Sequence, residues 1–186
     1  MSLFEKLLVA SQVSFNNGTV EMFKKRVVIY STDCIGEYVM TMNEEAKLTT
    51  MVYGLAKQAM AKTFGLKATR PSASTEDYLR WFLEMISLSG WGAVEWEGKD
   101  LNNRKGSILI RNSAIGTYNK GKVKSQCDHI VRGFLAGGIS SAFNVDVDVI
   151  ETDCMGTGAE RCRFVFDSKD NLVRDFPELA SKQLER

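Results

Sequence analysis

The stretch that decides how this chain is read is ETDCMGTGAERCRF, residues 151–164. It places Glu151, Cys154 and Cys162 around two glycines, Gly156 and Gly158. VDVDVI (145–150), just before it, alternates apolar with acidic residues, and RCRFVF (161–166) sets Arg against Cys and Phe. Both patterns are those of half-buried strands, so the segment is expected to be a hairpin with its three donor side chains at one end. Gly156 and Gly158 are expected to carry the chain through positive φ. Zinc binds thiolate sulfur at ~2.3 Å and carboxylate oxygen at ~2.0–2.2 Å, usually in a tetrahedron. A fourth donor must come from elsewhere, and Cys127, at the start of an upstream helix, is the candidate because a helix N-terminus favours the thiolate. On spacing alone a zinc site, free structural cysteines and a disulfide all stay open. No Cys-x-x-Cys is present to favour an iron–sulfur cluster. Cys34 stands far off in sequence and is expected to be a small buried hydrophobe.

The composition narrows these alternatives. The chain has 186 residues, 44% of them hydrophobic and 25% charged, with a formal net charge of +1. That length fits one domain over 1–186, able to bury roughly 70% of its unfolded surface. A near-neutral balance gives no reason to expect nucleic acid as a partner, and NNRKG (102–106) and NKGKVK (119–124) read as solvated loops. No apolar run reaches the ~18 residues of a membrane span. MSLFEKLLVASQ at the start carries Glu5 and Lys6 within its apolar segment and reads as a small amphipathic helix over 1–13, not a signal peptide. The expected setting is therefore the reducing cytoplasm, where clustered cysteines are more often metal or redox sites than disulfides.

The remaining elements follow from their periodicity. SFNNGTVEMF (14–23) has an Asn-Gly turn between strand-like segments, and RVVIYS (26–31) is a β-branched run. TDCIGEYVMTM (32–42) fits either a short helix or an extended segment. A long helix is expected between Asn43, with Glu44 and Glu45 in its first turn, and Gly65. Its expected apolar face is Leu48, Met51, Val52, Leu55, Ala56, Ala59, Met60 and Phe64. A second helix begins in SASTED (72–77), where Ser74 and Asp77 fit a capping box, and ends at Gly90. WGAVEWEG (91–98) and GSILIRNS (106–113) read as paired strands. HIVRGFLAGGISSAF (129–143) reads as a helix with one small-residue side, Gly133, Gly137, Ser141 and Ala142, suited to close approach by a neighbour despite the ~1 kcal/mol each interior glycine costs. The predicted class is α+β, an antiparallel sheet packed on a helical layer. The core spans 14–166, and 167–186 forms a C-terminal tail for packing or linking.

ETDCMGTGAERCRF resembles the C-terminal signature of the 4-vinyl-reductase-like, hydrocarbon-binding domain family: Glu, two residues, Cys, seven residues, Cys, then Arg-Phe. RNS (111–113) and GFLAGG (133–138) extend the likeness, and NGTVEMFKKRVVIY and MVYGLAKQ keep the general pattern over 14–66. Relatives include sensor domains of bacterial phenol-responsive regulators and, more distantly, transport-particle tethering subunits. The resemblance implies a structural zinc held by Cys127, Glu151, Cys154 and Cys162. Relatives carry the upstream cysteine one residue later, where this chain has Asp128, and one residue turns a helical side chain by about 100°. Asp128 and His129 are therefore the alternative fourth ligands.

The resemblance also implies an apolar pocket between helices and sheet. Its expected lining is Met51, Leu55, Met60, Trp81, Phe82, Met85, Trp91, Trp96 and Ile110. Phenol-sensing relatives often have a hydrogen-bonding tryptophan before the RNS match. Ile110 cannot donate such a bond, so a more apolar ligand is expected here. The leading expectation is a non-catalytic ligand-binding or sensory domain that dimerises with itself and passes its signal to a partner protein. A reductase or accessory role in tetrapyrrole metabolism is the second class, although one histidine and no nucleotide or flavin motif speak against it. A lipid-binding scaffold subunit is the third.

Overall fold

The computed structural model describes residues 13–16, 18–22, 25–27, 31–42, 46–64 and 74–184. Most of the expected N-terminal helix lies outside them, as do Asn43, Glu44, Glu45 and Gly65 at the ends of the first long helix. The first sheet is antiparallel, β1 (Val13–Asn16), β2 (Thr19–Met22) and β3 (Lys25–Val27). Gly18, at φ 76°, sits in the expected Asn-Gly turn between β1 and β2.

TDCIGEYVMTM resolves as a helix, α1 (Thr32–Met42). Cys34 is exposed on α1, against the expectation of a buried hydrophobe. Helix α2 (Ala46–Phe64) follows, then α3 (Thr75–Leu88). The capping box at α3 is present: Ser74 Oγ accepts from Asp77 N at 3.1 Å and donates to the Asp77 carboxylate at 2.7 Å.

The second sheet contains β4 (Ala93–Asp100), β5 (Lys105–Arg111), β6 (Asp148–Asp153) and β7 (Cys162–Asp167), in the order β4-β5-β7-β6. Every pairing in it is antiparallel. Between β5 and β6 run the short α4 (Ala114–Tyr118) and α5 (His129–Phe143), the latter bounded as its periodicity predicts. Helix α3 packs on β4, α5 on β6, and α2 on α5. The fold is mixed α/β with antiparallel sheets. No helix among the described residues is long and apolar enough to cross a membrane.

The crossing of α2 and α5 sets this arrangement. A Cβ on Gly133 would stand 2.5 Å from the Tyr53 carbonyl oxygen, and one on Gly137 would run into the Lys57 carbonyl. The glycines let two backbones touch, as the small-residue side predicts. Gly138, on the other side of α5, receives the ring of Phe82. This contact also decides which side of α2 is buried. Thr49, Tyr53 and Ala56 face inward, whereas Met51 and Leu55 are 48% and 58% exposed and Ala59 is exposed. The expected apolar stripe is thus rotated. A notch between backbones selects small or hydrogen-bonding groups over flexible apolar ones.

Strand β7 alternates buried with half-buried positions as predicted, but β6 is buried on both faces through its first four residues. The segment expected as a tail folds into α6 (Lys169–Asp175) and α7 (Pro177–Gln183), and Leu172, Ala180 and Leu184 are buried. Gln183 completes the cover: its side-chain amide donates to the Glu151 carbonyl and accepts from the Glu151 N–H, both at 2.8 Å.

Replacing Gly137 by Ala tests the backbone contact. Alanine gains about 1 kcal/mol in helix propensity, but overpacking against a carbonyl costs about 1–3 kcal/mol or more. Urea unfolding should show a net loss of stability, and an unchanged or raised midpoint would mean that the two helices do not meet here.

Candidate metal centre

The β6–β7 hairpin carries the donors where the sequence pattern puts them. Glu151 lies within β6, Cys154 precedes a single 3-10 turn (Met155–Thr157), and Cys162 opens β7. The pairing register shifts between Glu151 and Asp153, so the strand bulges at Thr152. A bulge re-aims neighbouring side chains, and here Glu151 is fully buried while Thr152 is only half-buried. Donor atoms of Glu151, Cys154 and Cys162 all lie within 4.8 Å of one another, so these residues are positioned to hold a metal ion.

Gly158 has φ 108° and makes the expected positive-φ turn. Gly156 does not. It is needed for room, because a Cβ there would lie 2.8 Å from Cys127 Sγ.

Helix α5 brings its N-terminus to the same place. Cys127 is buried, with its Sγ 3.5 Å from that of Cys154. Two thiolates on one tetrahedral zinc stand about 3.8 Å apart when each bond is ~2.3 Å, so the spacing fits a shared ion. Asp128 is buried too, and its backbone N–H donates to Glu151 Oε2 at 3.0 Å. Its Oδ2 accepts from Ser113 Oγ at 2.6 Å, while Ser113 also caps α4 by accepting from Gly116 N at 3.1 Å. That gives the RNS stretch a physical role: Asn112 takes the left-handed turn at φ 52°, and Ser113 joins α4 to α5. His129, the other alternative ligand, turns its Nδ1 to the Arg132 guanidinium at 3.4 Å.

The electrostatics call for a cation. Burial, then the neighbouring Asp128 and Cys154 charges, pushes the Glu151 carboxyl well above the usual range. Burial likewise pushes Asp128 up to about 6. Hydrogen bonds from Cys127 and Cys162 bring Cys154 down to about 2, while the same contacts and burial drive Cys127 and Cys162 upward. One thiolate is thus held by two thiols, and further negative charge is opposed. A divalent ion would take the place of those protons. Glu151 Oε1 is buried without a hydrogen-bond partner, an unsatisfied acceptor that an ion would fill. The donor set therefore fits a metal.

A second buried network lies behind the donors. Tyr53 donates to Asp148 Oδ1 at 2.5 Å and Lys57 Nζ to the same oxygen at 2.7 Å. Arg132 stacks over the Tyr53 ring at 4.1 Å and donates to the carbonyls of Val149 (3.2 Å) and Gln183 (2.6 Å). Burial lowers Arg132 to about 10 and His129 to about 3, so the guanidinium keeps its charge at neutral pH and the imidazole is neutral. Sequence reasoning misses this network. Its one signal is a charged residue inside an otherwise apolar helix.

The nine expected pocket residues are not brought to one cavity among the described residues. Trp81, Phe82, Met85 and Ile110 are buried core. Met60 packs at Gly137, and Trp91 meets Phe134 edge-on at 5.3 Å. Trp96 borders a cleft of about 150 Å³ with Leu79, Leu101 and the Lys99–Glu76 ion pair. A wider cleft of about 430 Å³ lies between the outer ends of β5 and β7 and α6. Met51 and Leu55 face outward.

Residues 119–168 match the family model of the vinyl-4-reductase domain. An uncharacterized protein of Methanocaldococcus jannaschii is 26% identical over 113 residues, covering 61% of this chain and 64% of that protein, just under two thirds of its length. The fold is similar to the phenol-responsive sensory domain of the transcription activator PoxR, solved with phenol, at TM-score 0.79 and 17% identity over 98% of each chain. It is similar to a vinyl-4-reductase family protein from M. jannaschii at TM-score 0.53 and 15% identity, covering 76% of this chain and 83% of that one. A trafficking protein particle complex subunit 3 from Naegleria fowleri, covalently bound to palmitic acid, aligns at TM-score 0.50 and 8% identity, covering 73% of this chain and 93% of that one. The resemblance read from residues 151–164 holds in both sequence and fold.

The burial pattern gives a direct test. A thiol reagent added to the native protein should label Cys34 quickly and the other three cysteines only on unfolding. Fast labelling of more than one thiol would show the donor cluster to be open.

Proposed function

We propose that this chain is a non-catalytic ligand-binding and sensory domain for a small apolar molecule, stabilised by a structural zinc. The observation that carries this reading is the end-to-end similarity of its fold to a phenol-responsive sensory domain. Zinc is held by Glu151, Cys154, Cys162 and a fourth donor from the start of α5, with Cys127 the first choice because of its contact with Cys154. Four protein donors leave no open position, so the ion ties hairpin to helix and does no chemistry. When bound it supplies charge neutralisation among buried anions.

The ligand differs from phenol. Ile110 is fully buried and offers no hydrogen bond, so a ligand hydroxyl there would lose its partner in water without replacement. Met60, Trp81, Phe82, Met85, Trp91 and Trp96 supply the apolar wall of the binding region, and Met51 and Leu55 its outward continuation on α2. Methionines there suit a loosely shaped hydrocarbon or acyl chain. The domain acts as a homodimer in a reducing cytoplasm, and its signal passes to a partner protein.

Native mass spectrometry of the intact chain tests both halves. One zinc per chain and an apolar adduct are expected. No metal in protein prepared without chelator would sink the zinc site. In thermal unfolding an apolar ligand at 100-fold excess over its Kd should add about 2.7 kcal/mol. Phenol should add little, and tight stoichiometric phenol binding would overturn the ligand assignment.

A further inference from the structure

Helix α5 presents two donors to the metal centre where one is needed. We propose that Asp128 is an alternative fourth ligand that exchanges with Cys127, so that either residue alone completes the site. This rests on the metal reading given above.

Four observations carry it. Asp128 is fully buried and stands at the N-cap position of α5, yet its side chain makes no capping hydrogen bond. Its Oδ2 is held by Ser113, and its Oδ1 has no hydrogen-bond partner. A buried carboxylate oxygen left unsatisfied is costly unless something fills it. The donor trio lies beside it, because the Asp128 backbone N–H binds Glu151 and its carboxylate touches Cys162. Cys127 approaches the same trio at Cys154, at 3.5 Å. The two candidates therefore meet the centre at different members of the trio.

A tetrahedral ion with three corners taken by Glu151, Cys154 and Cys162 has one corner left. Three thiolates with one carboxylate carry the same charge as two thiolates with two carboxylates. Exchange therefore leaves the net charge of the shell unchanged, provided the displaced donor keeps its proton. Serine at position 113 pre-orients the carboxylate, so little side-chain entropy is lost when it binds. The consequence is a centre that keeps its metal when Cys127 is oxidised or alkylated.

The test uses cobalt(II) as the probe, with the full chain and the variants Cys127→Ser, Asp128→Asn and the pair together. Asparagine keeps an oxygen for Ser113, and circular dichroism of each metal-free variant checks the fold. Asp128→Ser repeats the measurement if the asparagine variant fails that check.

Each single variant should bind one cobalt per chain with tetrahedral visible bands, weakened by about 10–100-fold, the range typical of a supporting group. Thiolate-to-cobalt charge transfer should fall by about a third in Cys127→Ser, as three thiolates become two, and stay unchanged in Asp128→Asn. The double variant should lose cobalt. Loss of cobalt from Cys127→Ser alone would overturn the inference, and so would loss from Asp128→Asn alone, since exchange requires that either donor suffice. Retention by the double variant would also overturn it. If the parent chain takes up no cobalt or zinc, the metal reading fails first and takes this inference with it.

Discussion

Two backbones touch where α2 crosses α5, and most of the chemistry of this protein is placed by that contact. Gly133 and Gly137 remove the side chains that would hold the helices apart. Tyr53 and Lys57 then reach Asp148 on β6, and Arg132 lies over the Tyr53 ring. The same placement of α5 delivers Cys127 and Asp128 to the β6–β7 hairpin. A wider crossing would lengthen the contacts that α2 makes with Asp148 and Arg132. The glycines cost helix propensity, and the close approach offsets it through packing and through the polar bonds it makes possible.

Buried charge in such quantity needs an explanation other than stability. Arg132, Asp148, Glu151 and Asp128 are all inside, and buried ion pairs seldom improve on well-packed apolar groups because desolvation offsets their attraction. Their value here lies in specificity. Asp148 can satisfy Tyr53 and Lys57 only if α2 sits at one height on β6. Gln183 pairs with both backbone groups of Glu151 only if α7 docks in one register. A slipped arrangement would strand several polar groups without partners, each costing about 1–3 kcal/mol. The polar network thus excludes wrong packings around the metal donors.

The hairpin and the donor trio are legible in the sequence because both depend on short spacings. Glu151, Cys154 and Cys162 lie within one supersecondary unit, so period-2 patterning and a glycine-rich turn suffice to bring them together. The bounds of α5 are legible for the same local reason, and so is its close-packing side. Contacts that join distant segments are not. Nothing in MVYGLAKQ tells Tyr53 and Lys57 apart from Met51 and Leu55 as the buried side, since burial is decided by a backbone notch on another helix. Gln183 reads as part of a polar tail, and its partner is a backbone pair 32 residues away. Residue type alone predicts a buried Cys34. A cysteine's average preference gives way to the side of α1 on which it falls.

Metal donors and expected ligand-lining residues occupy different parts of this fold. The donors sit at the N-terminus of α5 and in the β6–β7 hairpin. The apolar candidates lie on α2, α3, β4 and β5. The two sets meet through α5, whose N-terminus carries Cys127 and Asp128 while its glycine sides pack on α2 and Phe82. They meet again in the second sheet, where Ile110 on β5 pairs with Cys162 on β7. Side chains directly opposite one another share a face of the sheet, so the isoleucine stands next to the sulfur without binding what the sulfur binds. Exchanging a hydrogen-bonding side chain for isoleucine on one strand changes what the apolar side can recognise. It leaves the sulfur on the neighbouring strand, and the turn that holds it, in place. A fold with its polar anchoring concentrated in one hairpin can vary its ligand without rebuilding its frame, and that is how sequences this far apart can share one architecture.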